Sequence, residues 1–140
     1  MASYKDLHNR VFKKIQKIQR EVKRKRLALP IEKYSVYDYP TIVVACGYIK
    51  KKKIFVERSG KPINVTWVHD IELRLSALKR CPLCDNPIGA CAEPKAANKV
   101  KNKFPKCKMN ELQFSDPYRP RTCKRKKYCE NCKYTFSEVL

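Results

Sequence analysis

The chain is 140 residues long, one domain's worth of sequence, and its 33 Lys and Arg against 13 Asp and Glu leave a net charge of +20. A hydrophobic share of 43% supports a core, while three glycines exclude a glycine-rich phosphate loop and no apolar run approaches the roughly 18 to 20 residues of a membrane span. Charge of this density opposes compaction until something anionic neutralises it: nucleic acid, an anionic membrane surface or an acidic protein.

In chain order, residues 4 to 29 read as a basic amphipathic helix. Leu7, Val11, Ile15, Ile18 and Val22 recur at spacings of four, four, three and four and so share one stripe, and Pro30 ends the run. The remaining faces carry Lys13, Lys14, Lys17, Arg20, Lys23, Arg24, Lys25 and Arg26. So narrow a stripe suits one partner, the chain's own core or a second helix; five positions fall short of the sustained heptads of a coiled coil, which favours the core. β-Branched and aromatic residues dominate 41 to 49, 54 to 57 and 63 to 68, with "RSGK" turning between the last two, and this predicts a small antiparallel meander. "HDIELRLSALKR" sets Ile71, Leu75 and Leu78 on one face of a short helix that runs into Cys81. Residues 85 to 127 are rich in proline and lysine and poor in large aliphatics, so no conventional core is expected there. The fold class expected is α+β: a basic helix (1–30), a small sheet with a short helix (31–80) and a zinc-stabilised, cysteine-rich module (81–140), forming one compact domain.

The cysteines organise that last module. Seven of eight lie in the final 60 residues: Cys81, Cys84, Cys91, Cys107, Cys123, Cys129 and Cys132. "CPLC" and "CENC" are C-x-x-C pairs, and such a turn points two thiolates at one ion, so Cys81, Cys84, Cys129 and Cys132 make the most economical four-sulfur zinc site. The 44 residues between the pairs exceed the usual ribbon spacing of roughly 15 to 20. Cys91, Cys107 and Cys123 fall one short of a second shell, for which His69 or Cys46 is the candidate fourth ligand; interleaved pairings of the cross-braced kind stay open, with one or two zinc ions. Cys46, inside "IVVACGYI", reads better as a small buried hydrophobe. Disulfide or redox use of the pairs is the lesser reading, because "MASYKDLHNR" lacks the apolar core of a secretory signal and an intracellular protein is expected, and no helix of useful length is expected after "CENC".

Three basic runs stand out, at 23 to 26, 50 to 53 and 124 to 127. Lys23, Arg24, Lys25, Arg26, Lys124, Arg125, Lys126, Lys127 and Tyr128 are the candidate nucleic-acid contacts, with Tyr118, Tyr134 and Phe136 as further rings for stacking if exposed. A solvated face or an import signal explains any one run as well. No base-reading signature is present. Two histidines, His8 and His69, leave a hydrolytic centre unfilled, and "WVHDIE" before "CPLC" lacks the spacing of a zinc deaminase. An enzyme is not expected.

Over residues 40 to 135, the size, the β-rich middle, "CPLC" opening and "CENC" closing a cysteine-rich half resemble the baculovirus U-box/RING-like family of small late proteins. The resemblance implies a non-enzymatic role in nucleocapsid assembly, in the host nucleus and virion, with capsid proteins or nucleic acid as partners and Cys81, Cys84, Cys129 and Cys132 as zinc ligands. The central C-x-H-x-x-C of a RING is missing, which counts against the alternative of an E2-recruiting ubiquitin-ligase module. A zinc-ribbon transcription factor is the other alternative.

Overall fold

The computed structural model describes residues 3–28, 30, 39–60 and 65–140. Helix α1 (Tyr4–Leu27) starts in a capping box: Ser3 Oγ accepts from the Asp6 amide at 3.1 Å and the Asp6 carboxylate accepts from the Ser3 amide at 2.9 Å. Arg24, Lys25 and Arg26 occupy its last turn, where the helix dipole favours cations. The stripe Leu7, Val11, Ile15, Ile18 and Val22 is buried against Val43, Ala45 and Ile54, so α1 packs on its own domain. No described helix is long and apolar enough to cross a membrane.

Strand β1 (Val43–Tyr48) is the middle of a three-stranded antiparallel sheet, between β2 (Ile54–Arg58) and β3 (Leu112–Phe114). Cys46 stands opposite both Phe55 and Phe114. Successive side chains of a strand point to opposite faces. Val43 and Ala45 therefore meet α1, while Val44, Cys46 and Tyr48 enter a second core with helices α2 (His69–Arg80), α3 (Ala92–Lys103) and α4 (Glu130–Thr135). Cover on both faces explains why all six residues of β1 are buried.

Two expectations are corrected. The third strand is not 63 to 68: positions 63 and 64 lie outside the described residues, and 65 to 68 run without strand pairing, held instead by Asn98. Its amide donates to Thr66 O at 2.9 Å and its carbonyl oxygen accepts from the Val68 amide at 2.8 Å. The third place in the sheet goes to "LQF" at 112–114. Nor does the stretch 85 to 127 lack a core. Helix α3 lies within it, and Ala92, Ala96, Ala97 and Val100 are all fully buried. Small side chains let a helix backbone settle close on a sheet, so apolar area is buried without large aliphatics, and Pro94 is tolerated because it falls in the first helical turn.

Candidate metal centre and basic surface

Cys91 and Cys129 are the residues that cap α3 and α4, each in extended backbone conformation. In "CENC" the cap and the third helical residue are the two cysteines, so Cys129 Sγ accepts from the Cys132 amide at 3.4 Å and both sulfurs lie on one side of the turn. Packing of α3 beside α4 brings Cys91 in. Its sulfur is 3.7 Å from that of Cys129, and the sulfurs of Cys91, Cys129 and Cys132 all lie within 4.8 Å of one another. A tetrahedral zinc shell with Zn–S of roughly 2.3 Å has sulfur–sulfur edges of about 3.8 Å. The three thiols thus stand close to the spacing a shared ion requires.

Around them the loop after α2 is pinned by Asn131, the residue inside the pair. Its carbonyl oxygen accepts from the Leu83 amide at 2.9 Å and its amide donates to Asn86 O at 3.2 Å. Glu93, 4% exposed, places Oε2 3.4 Å from Cys132 Sγ. The thiols divide their protons unequally. Hydrogen bonds from Cys132 and Cys91 hold Cys129 far below an ordinary thiol, while the same bonds push Cys91 up to about 12 and Cys132 higher still. Burial raises the Glu93 carboxyl above the usual carboxylate range. Cys129 is thus the thiol of the trio most inclined to ionise, and a metal ion held there would require the others to give up their protons as well. A cleft of about 780 Å³, lined among others by Ile42, Pro87, Ile88, Lys126 and Lys127, opens on Cys91 and Cys129 and gives an ion a way in.

Of the seven candidate ligands, Cys91, Cys129 and Cys132 come together. Cys81, exposed at the end of α2, and Cys84, half-buried, lie outside the trio. Cys107 is buried in the second core, its thiol toward Lys108 O at 3.6 Å. Cys123 is exposed at the tip of a hairpin with a positive φ of 58°. His69 opens α2, and Cys46 is fully buried in the core. Among the described residues there is one group of three such ligands, and spacing alone favoured "CPLC" over Cys91 because nothing in the sequence marks a lone cysteine as the cap of a helix beside another.

The fold lays the segment that leads into the third basic run along the helix that carries the first. Tyr118 bridges to Val43 on one side and Arg125 on the other, which continues the pairing on the β3 side of β1 into the 119–124 hairpin. Gln19, in mid-α1, donates to Pro120 O at 2.9 Å, and Tyr4 in its first turn donates to Asp116 at 2.6 Å, so the segment from 116 to 125 lies along the helix. The hairpin, with exposed Arg119 and Arg121, therefore lies by the later turns of α1 and its exposed Arg20, whereas Arg125 shares Asp116 with Tyr4 at the helix start and exposed Lys126 and Lys127 line the cleft. Arg26 is half-buried and lies over the Tyr39 ring at 5.6 Å. Arg125 is 3.6 Å from Asp116. The aromatic candidates fare differently. Tyr128 is half-buried and donates its hydroxyl to Ser115 O at 2.5 Å, Tyr118 packs edge-on against Phe12, and Phe136 is fully buried, so it cannot stack on a base. Tyr134, 43% exposed, keeps an open face.

Comparison with protein-family models, curated proteins and solved structures finds no match.

Proposed function

We propose that this is a non-enzymatic, zinc-stabilised protein that presents a basic surface, built on α1 and the 119–125 segment beside it, to nucleic acid. The observation that carries the metal half is the thiol trio, with two sulfurs 3.7 Å apart and all three within 4.8 Å. Soft thiolates in tetrahedral array favour zinc among common intracellular divalent ions, and an ion there fastens the start of α3 to the start of α4. The nucleic-acid half rests on the packing of the 116–125 segment along α1, which sets the exposed cations of the hairpin beside those of the helix. Nothing in this surface reads bases, so recognition is of the phosphate backbone. A place in nucleocapsid assembly is what the family resemblance adds, and such a surface accords with it.

The test is a salt titration of binding to random-sequence duplex and single-stranded DNA. Engagement of six to ten phosphates predicts a loss of about 10³ to 10⁵ in affinity between 50 and 200 mM salt. Replacing Lys23, Arg24, Lys124 and Lys126 by Gln lowers the slope by up to about four and weakens all sequences alike. A flat salt dependence, or a slope untouched by these replacements, overturns the proposal.

A further inference from the structure

We propose that Glu93 is the fourth ligand of the metal centre, which makes it a three-sulfur, one-oxygen site rather than a four-cysteine one. This rests on the metal reading of the thiol trio and goes beyond it. Glu93 follows Cys91 by two residues in the first turn of α3, and its buried carboxylate lies against Cys132 of the trio. The separation of 3.4 Å between Oε2 and Cys132 Sγ matches a tetrahedral edge of about 3.5 Å computed from Zn–O of roughly 2.0 Å and Zn–S of roughly 2.3 Å.

The carboxylate's surroundings supply the second argument. A carboxylate withdrawn from water is costly unless a cation or several donors compensate it. Among the described residues Glu93 has no ion-pair partner, and the thiol of Cys132 is its side-chain hydrogen-bond partner. The carboxylate lies against Cys132 at the edge of the thiol trio, and among the described residues no Lys or Arg pairs with it directly. A divalent ion resolves that arrangement, and the nearby lysines Lys126 and Lys127 on the cleft wall offset the surplus negative charge of the loaded site. The rival fourth ligand is Cys84. Leu83 just before it and Asn86 two residues after it are both tied to Asn131, and in the loop so held the Cys84 thiol lies outside the trio.

The full-length chain, loaded with zinc and examined by X-ray absorption, should show three sulfurs and one light atom; this needs no variant and so does not depend on a variant folding. With cobalt in place of zinc, the thiolate-to-metal charge-transfer band should be unchanged in Cys81→Ser and Cys84→Ser, and should grow by about one third in Glu93→Cys as a fourth thiolate enters. Glu93→Gln should weaken zinc binding by at least tenfold, in line with the roughly 10- to 100-fold typical even of outer-shell changes. Four sulfurs in the unmodified protein, or loss of a quarter of the band in Cys84→Ser, overturns the assignment to Glu93 and leaves the metal reading standing. Failure of both metals to bind, with no charge-transfer band, overturns the metal reading itself.

Discussion

Phe136 joins the thiol trio to the sheet, and truncating it should show how strongly the two are coupled. The ring is fully buried, its centroid is 5.0 Å from that of Phe114 on β3, and its amide donates to Cys132 O at 2.9 Å. Phe136→Ala removes a ring's worth of buried surface and leaves a cavity in the second core, for which about 3 to 5 kcal/mol is typical. The aromatic pair accounts for about 0.5 to 1.5 kcal/mol of such a loss. Against a whole-domain stability of about 5 to 15 kcal/mol, this is a large fraction. Urea unfolding followed by far-ultraviolet dichroism, with zinc present and after chelation, measures it. The expected result is a midpoint shift equivalent to at least 3 kcal/mol in both conditions, with weaker zinc retention in the variant because the turn that carries Cys132 loses its support. A loss below about 1 kcal/mol would mean that α4 is not packed on β3 as described, and would refute the reasoning.

Two further outcomes are expected. Arg74 donates to both Glu138 oxygens and to Thr135 O at 2.7 Å, and the guanidinium holds the Glu138 carboxyl below its ordinary value. A depressed carboxyl contributes stability above its unfolded pKa and loses it as pH falls through the folded one. Urea titrations should therefore show Glu138→Gln less stable than the parent at pH 7, by no more than about 1 kcal/mol given the pair's partial exposure, with the gap closing below about pH 4; a gap independent of pH would count against the pair. Removing the cap of α1 with Ser3→Ala should cost about 1 kcal/mol and lower the melting temperature by about 2 to 8 °C, and an unchanged melting curve would show that α1 does not depend on its capping box.

What could be read from the sequence depended on side-chain size as much as on pattern. The stripe from Leu7 to Val22 and the strands at 43–48 and 54–58 were legible because large apolar residues repeat at helical or strand spacing. Helix α3 was not, because "AEPKAANKVKNK" buries alanines, whose small size is the reason they fit and also the reason they give no hydropathic signal. Strand β3 has three residues, too few to show a period. At the candidate centre, the i to i+3 pair of Cys129 and Cys132 is a local geometry and was evident; Cys91 and Glu93 reach it only through the packing of α3 beside α4, a contact between residues about 40 positions apart.

That separation has a consequence for folding. An ion bound by Cys91 and Cys129 closes a ring of chain 38 residues around, with the whole of β3 and the 119–124 hairpin inside it. In the chain-entropy treatment of cross-links, a ring of that size removes about 4 kcal/mol of disorder from the unfolded ensemble. With zinc bound as proposed, the centre would act as a reversible staple, one that a chelator opens and the ion shuts. On that proposal, an ion that needs both helix starts would be captured after the packing of α3 beside α4 has brought them together.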